Sequence, residues 1–151
     1  MAEMIRVLLV EKSQDEAAAV VAQLQKAGYE VFSVVAEDAE KMKMALDRQG
    51  WNVVICGTDL PRFDWQRALK MAREVDPEVP FILISKVFDE KVVAQAMKAG
   101  VNAYLTKDHL AGLPLAVAGE LSDSLLRRER RQAAEKDRKS TRLNSSHAIT
   151  S

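Results

Sequence analysis

The sequence has little cysteine and histidine, and it carries no excess of either charge. Among its 151 residues, Cys56 is the one cysteine, and there are two histidines. A single thiol forms no internal disulfide, and two distant histidines match no metal-ligand spacing, so a reducing, cytoplasmic setting is expected. Lysine and arginine number 22, and so do aspartate and glutamate. This balance provides no basic field that would favour nucleic acid or an anionic membrane as a partner.

Long hydrophobic runs are also missing. No run approaches the roughly 18 apolar residues of a membrane span, and the N-terminal stretch MAEMIRVLLV is too short for a secretory signal. Hydrophobic residues make up 48% of the chain and charged residues 29%. We therefore expect one soluble domain with a core of its own.

Short apolar runs alternate five times with longer segments of helical period. The runs are IRVLLV, YEVFSVV, WNVVIC, PFILIS and NAYLT, and a last helix is expected from about Leu113. Such continuous Val, Ile and Leu runs are typical of parallel strands covered on both faces. Helix starts and ends are expected at side-chain caps and glycines, namely Ser13, Asp89, Gly28, Gly50 and Gly100. The pattern predicts an α/β fold, a doubly wound five-stranded parallel sheet in a three-layer α/β/α sandwich.

The strand ends carry most of the polar residues that could do chemistry. In the flavodoxin-like strand order 2-1-3-4-5, the carboxyl ends of strands 1 and 3 flank the switch point where ligands usually bind. The exits VEKS and CGTD would then lie side by side, next to ISKV and LTKD. We therefore expect any functional site at this edge.

Four motifs in order along the chain resemble one known family. RVLLVEKS, WNVVICGTDLP, PFILISKV and AMKAGVNAYLTK are similar to the first, third, fourth and last strands of bacterial two-component receivers, with their flanking residues. Residues 4 to 120 thus resemble a response-regulator receiver (CheY-like) domain, and we take 1–120 as the domain. The resemblance implies a flavodoxin-like fold and a role in phosphorelay signalling.

The resemblance also shows two departures at the phosphorylation site. In receivers the acceptor aspartate lies four residues before the proline of the turn, and counting back from Pro61 gives Gly57. The acidic pair that holds Mg²⁺ corresponds to Glu11 and Lys12. Glycine supplies no nucleophile, and Mg²⁺ usually needs one or two carboxylates. We therefore expect a pseudo-receiver that is no enzyme and has no cofactor, with Mg²⁺ binding weak or absent and Glu11 as the residual ligand.

Three other site residues of the family are retained. Ser85 corresponds to the switch hydroxyl, Tyr104 to the aromatic that reports activation, and Lys107 to the lysine that pairs with the phosphoryl oxygens. Without a metal, Lys12 and Lys107 are expected to neutralise Glu11. The site would then be a locked charge cluster.

An alternative is a phosphorylatable receiver with an unorthodox acceptor, Asp59. This residue follows the strand by two positions, so its carboxylate is expected several ångströms from Lys107 and Ser85. Misplacement on that scale usually abolishes transfer, and a turn or cap role for Asp59 is favoured. A third hypothesis, a flavin or small-molecule binder, is weak because VEKSQDE places acids where a phosphate would bind.

Other reactive or apolar residues have structural interpretations. Cys56 is expected as a small buried residue rather than a redox sensor, and His109 as an exposed loop residue. The helical methionines are expected as core filler, although Met42 and Met44 cannot both face the core. The methionines concerned are Met42, Met44, Met71 and Met97.

The last helix extends beyond what covers a sheet. Residues 121–136 resemble a signalling linker that joins a receiver to a PAS or histidine-kinase module. The expected partners are signalling proteins, namely a histidine kinase or an output module, including one fused downstream, and a second copy of the chain in a homodimer through the last helices. The expected contact surface is the fourth helix, fifth strand and fifth helix.

The final segment, residues 137–151, has neither helical period nor much apolar content, and is expected to be disordered. Its stretch DRKSTRLNSSH resembles the translation of a common short-read sequencing adapter. We therefore leave it out of the fold and function.

Overall fold

The computed structural model describes the backbone of residues 3–150 and the side chains of residues 3–136. Five strands form one parallel sheet in the order β2-β1-β3-β4-β5. The elements in chain order are β1 Met4–Val10, α1 Gln14–Lys26, β2 Glu30–Ala36, α2 Ala39–Arg48, β3 Val53–Gly57, α3 Trp65–Val75, β4 Phe81–Ser85, α4 Glu90–Ala99, β5 Ala103–Thr106, a 3₁₀ helix Lys107–Gly112, and α5 Leu113–Thr150. The predicted fold class and strand order are confirmed.

The core lies in two layers, one on each face of the sheet. Along β1, Leu8 and Val10 point into the layer beneath α2 and α3, while Val7 and Leu9 point into the layer beneath α1 and α5. All four side chains are fully buried or nearly so. This two-sided burial explains the continuous apolar runs in the sequence.

Helix boundaries follow local chemistry. Ser13 Oγ accepts a hydrogen bond from Glu16 N at 3.3 Å, and Asp89 Oδ1 accepts from Lys91 N at 3.0 Å, so both predicted N-caps are confirmed. Gly100 caps α4 in the left-handed region, with φ 101°. Gly50 is a correction, because α2 ends at Arg48 and its C-cap is Gln49, whose backbone is extended.

The helical methionines divide between core and surface. Met42 is fully buried and Met44 is 55% exposed, so only one of the two faces the core, as predicted. Met71 packs partly buried against the core. Met97 is 47% exposed, and its expected role as core filler is wrong because it lies on the outer face of α4.

The register of the sheet aligns the strand exits. Val10 pairs with Cys56, Gly57 with Ile84, and Ser85 with Thr106. The residues that follow these positions therefore gather at one carboxyl edge, as the sequence predicts.

The long α5 is tied back to the domain beyond the sheet. Ser124 Oγ donates to the Glu78 carbonyl at 3.0 Å, and Arg127 and Arg128 pair with Glu78 and Asp76 at 3.0 and 2.6 Å. Residues 121–136 are helical, and α5 continues to Thr150 where the sequence predicted no regular structure from Asp137 on. The side chains of 137–151 lie outside the described residues, and the origin of that segment stays a prediction. Within the part searched, no helix is long and apolar enough to cross a membrane.

Candidate functional site

Glu11 and Gly57 face each other where β1 and β3 end. Glu11 is 7% exposed, and its Oε1 accepts a hydrogen bond from Lys12 N at 2.9 Å. A Cβ atom placed on Gly57 would stand 3.0 Å from Glu11 Oε2 and 3.5 Å from Asp59 Oδ1. The space beside Gly57 is therefore bounded closely by the Glu11 carboxyl group and, at ordinary contact distance, by that of Asp59.

Two lysines reach into this edge. Lys12 Nζ lies 2.9 Å from Asp59 Oδ2, and Lys107 Nζ lies 2.6 Å from Glu16 Oε1 and 3.8 Å from Asp59 Oδ1. Neither lysine forms an ion pair with Glu11 among the described residues. The expectation that Lys12 and Lys107 neutralise Glu11 directly is therefore wrong, because Asp59 and Glu16 lie closer to the two ammonium groups.

These ion pairs lie in a partly buried setting. The Lys107 ammonium, both Asp59 oxygens and Glu16 Oε2 are shielded from solvent, and among the described residues their partners are the opposite charges of the cluster. Reduced screening by water strengthens the attraction between these charges.

The role of Asp59 is a second correction. Its Oδ1 lies 3.8 Å from Lys107 Nζ, which agrees with the expected distance of several ångströms, yet its Oδ2 pairs with Lys12 at 2.9 Å, so its side chain has more than a turn or cap role. In addition, the side chain that caps α3 is Asp64, not Asp59. Asp59 therefore belongs to the site itself.

The carboxyl groups of the cluster have opposed pKa shifts. Burial, aided by contact with the Glu16 carboxyl, raises the pKa of Glu11 to about 7. The Lys107 ammonium holds the pKa of Glu16 below its usual value. Burial raises the pKa of Asp59, but Lys12 and Lys107 outweigh it, and the net shift is downward. With a proton on Glu11, two carboxylates face two ammonium groups and the cluster is neutral.

Glu16 is the site residue that sequence reasoning missed. The sequence places it three residues after Ser13, a spacing that signals a helix-capping glutamate rather than a site residue. Its side chain instead turns toward Lys107, and carboxyl oxygens of Glu11, Glu16 and Asp59 lie within 4.8 Å of one another. These three oxygens are where a divalent cation could bind at this edge.

Ser85 and Tyr104 both bond to the loop between β4 and α4. Ser85 Oγ donates to the Val87 carbonyl at 2.7 Å, and Tyr104 Oη donates to the same carbonyl at 3.3 Å. Phe88 packs edge-on against the Tyr104 ring, with the ring centres 6.2 Å apart. The structure thus brings Lys107 to the charge cluster, while the two hydroxyl groups hold the neighbouring loop.

Cys56 and His109 contribute nothing to the cluster. The Cys56 thiol is fully buried and donates to the Gly57 carbonyl at 3.3 Å, and burial raises its pKa well above the usual value. A thiol whose pKa is raised stays protonated, and a protonated thiol is a poor nucleophile. The His109 side chain is 75% exposed and contacts Thr106 and Asp108. Both residues are as predicted.

Comparison with known proteins agrees with this architecture. The family described as Response regulator receiver domain matches residues 7–115. An uncharacterized transcriptional regulatory protein of Bacillus subtilis, YvcP, is 33% identical over 104 residues, which cover 69% of this chain and 43% of that protein. The chain thus spans less than half the length of this curated relative.

Solved structures show the same fold. NtrX from Brucella abortus superposes with a TM-score of 0.74 at 24% identity, over 88% of this chain and 30% of that one. A second structure is the receiver domain of the sensor histidine kinase PA1611 from Pseudomonas aeruginosa, which has a magnesium ion in its active-site cleft. It superposes with a TM-score of 0.65 at 23% identity, over 78% of this chain and 98% of that one. The sheet, its order and the family match define the class, an α/β signalling receiver. This chain belongs to the response regulator receiver domain family of two-component signalling.

Proposed function

We propose that this chain is a pseudo-receiver, a receiver domain of a two-component phosphorelay that acts through protein contacts without aspartate phosphorylation. The observation that carries the proposal is Gly57 itself, which supplies no side-chain nucleophile and at which a Cβ would stand 3.0 Å from Glu11 Oε2. Phosphoryl transfer to a receiver needs a carboxylate nucleophile at that position. The chain is accordingly proposed as a binding module and not an enzyme.

We propose that two ammonium groups balance the negative charge that a divalent cation would otherwise balance at this edge. Lys12 and Lys107 contact Asp59 and Glu16 at 2.9 and 2.6 Å, so two of the three clustered carboxyl groups already have cationic partners. The third, Glu11, can remain neutral, since its pKa is raised to about 7. Mg²⁺ would have to displace these pairs to gain its oxygen ligands. We therefore expect the arrangement to fit Mg²⁺ poorly and bind it weakly or not at all.

Asp59 supports a second candidate function, phosphorylation at an unorthodox acceptor. Its Oδ1 lies 3.8 Å from Lys107 Nζ, close to the lysine that pairs with phosphoryl oxygens in the family. Against this alternative, its Oδ2 is held by Lys12 at 2.9 Å. A carboxylate that is paired with an ammonium group, and that lies beside a site expected to bind Mg²⁺ weakly, is poorly positioned to accept a phosphoryl group.

Beryllofluoride with Mg²⁺, a phosphoryl mimic, separates the two functions. The pseudo-receiver should show no saturable amide NMR shifts around Ser85 and Lys107. If saturable shifts appear in the natural sequence and vanish in Asp59→Asn, the unorthodox acceptor is right and our proposal is wrong. The double variant Lys12→Asp with Gly57→Asp rebuilds the family's acidic pair and acceptor, and it should gain the response that the natural sequence lacks.

The partners are proposed to be signalling proteins. A histidine kinase or a downstream output module would contact the face of α4, β5 and α5, where Val87 and Phe88 are exposed by 72 and 68% and Phe88 packs against Tyr104 of β5. Leu125 and Leu126, 58 and 47% exposed, lie on the α5 extension and could support a homodimer of the last helices. Sedimentation equilibrium of the natural chain against Leu125→Lys tests the dimer.

A further inference from the structure

The edge strand β2 is open along one side. Among the described residues, β2 pairs with β1 alone and so presents a row of backbone groups along its other side. Its sequence, EVFSVVA from Glu30 to Ala36, has seven residues with no lysine, proline or bulge, and its one charge stands at the start. Proteins usually protect an exposed edge strand with lysine, proline or a bulge, because an unprotected apolar edge pairs with other strands.

The hydrogen bonds to β1 show which backbone groups are free. Glu30 N donates to the Glu3 carbonyl at 2.9 Å, and the Ala36 carbonyl accepts from Glu11 N at 3.1 Å. Alternate residues of a strand direct their backbone groups to opposite sides. The N–H and C=O groups of Val31, Ser33 and Val35 therefore point to the open edge.

A groove runs beside this edge, between β2 and α2. It has a volume of about 450 Å³, and its floor includes Phe32, Val34 and Trp51. The Phe32 and Trp51 rings are stacked with their centres 6.1 Å apart, and Phe32 remains 42% exposed. On the helix side the groove includes Met44, which is 55% exposed. The groove is thus an apolar slot directly beside unpaired strand backbone.

The charge of the groove selects the partner. Its charged lining residues are Lys41 and Arg48, and no carboxylate of residues 3–136 lines it. Lys41 already pairs with Glu37 at 2.6 Å, whereas Arg48 has no ion pair among the described side chains. A negatively charged group on an incoming segment would complement Arg48.

We propose that β2 is a strand-addition site for an extended acidic segment of a partner protein. The segment would hydrogen-bond with Val31, Ser33 and Val35 and place an apolar side chain over Phe32 and Trp51. Alternate side chains of an added strand face the same way, so one face enters the groove while main-chain bonds provide affinity. This site shares no residue with the charge cluster at the carboxyl edge and does not depend on whether that edge takes a phosphoryl group.

Selection from a phage-displayed library of random dodecapeptides, with the full chain as bait, tests the proposal. Enriched peptides should share apolar residues at alternate positions with aspartate or glutamate nearby. The best of them should bind Arg48→Glu about fivefold more weakly, the factor typical of an exposed ion pair. Lys98→Glu is the matched control, an exposed reversal of charge on α4 that should leave affinity unchanged.

Two further measurements locate the bound segment. Amide shifts on titration with the selected peptide should be largest at Val31, Ser33 and Val35, and Ser33→Pro, which removes one outward N–H, should abolish binding. Absence of enriched acidic peptides, equal affinity for Arg48→Glu, or shifts confined to the carboxyl edge would overturn the proposal. A dimer that Ser33→Pro dissociates would also overturn it, because a second copy of the chain would then cover the edge.

Discussion

The substitution Gly57→Asp places a fourth carboxyl group into the charge cluster. Its Cβ would stand 3.0 Å from Glu11 Oε2 and in ordinary contact, 3.5 Å, with Asp59 Oδ1, so the Glu11 carboxyl group must move by a few tenths of an ångström even for a methyl group. Because this neighbour is the end of a flexible side chain, the steric cost should be about 1 kcal/mol, the low end for an overpacked core. Gly57→Asn has nearly the same shape without charge, and it should show this steric cost alone.

The charge adds a separate cost. Two like charges about 4 Å apart repel by about 4 kcal/mol at an effective dielectric constant of about 20. Glu11, whose pKa is already raised to about 7, can take up a proton and relieve part of that repulsion. We therefore expect Gly57→Asp to be about 2 kcal/mol less stable than Gly57→Asn at pH 8.

Urea unfolding of the natural chain and both variants at pH 8 and pH 5 measures this difference. The difference in the free energy of unfolding between Gly57→Asp and Gly57→Asn should be smaller at pH 5. Repulsion raises the folded-state pKa of the new carboxyl group, so protonation removes its charge at that pH. Equal stability of the two variants at pH 8 would refute the electrostatic argument. If both variants were as stable as the natural chain, the steric argument would also be refuted, and the site would have room for an acceptor side chain.

Two other changes test neighbouring contacts. The pKa of Glu11 is raised from 4.5 to about 7, so its contribution to stability is fully present below pH 4.5 and is lost as the pH rises through about 7. Glu11→Gln should flatten this decline in the free energy of unfolding between pH 5 and 8, and an unchanged pH profile would exclude Glu11 as its source. Ser124→Ala removes the hydrogen bond to the Glu78 carbonyl and should cost about 1 kcal/mol in urea unfolding, whereas the same change at exposed Ser122 should cost little. Equal losses at the two serines would mean that the contact does not hold α5.

The fold could be predicted from local patterns because each pattern has one physical interpretation. Five apolar runs separated by helical segments leave few arrangements other than a parallel sheet covered on both faces. The caps at Ser13 and Asp89 depend on side chains within three residues of the helix start. The end of α2 was less predictable, because Gln49 leaves the helix before Gly50.

The partners within the site could not be predicted in the same way. Lysine side chains are long and flexible, so the sequence alone did not distinguish Glu11 from Asp59 as the partner of Lys12. The pairing depends on the path of the turn after β3, which brings Asp59 within 2.9 Å of Lys12. The inward rotation of Glu16 onto Lys107 likewise follows from the packing of α1 beside the 3₁₀ helix.

The sequence by itself determined the sheet, the strand order and the absence of a nucleophile at position 57, since these depend on periodicity and on residue identity. Tertiary structure alone decided which charges meet. The choice of Asp59 and Glu16 as lysine partners, the raised pKa of Glu11, and the open groove beside β2 all depend on distances between segments far apart in the chain. Electrostatic energy varies steeply with those distances and with burial, and neither quantity can be obtained from residue order.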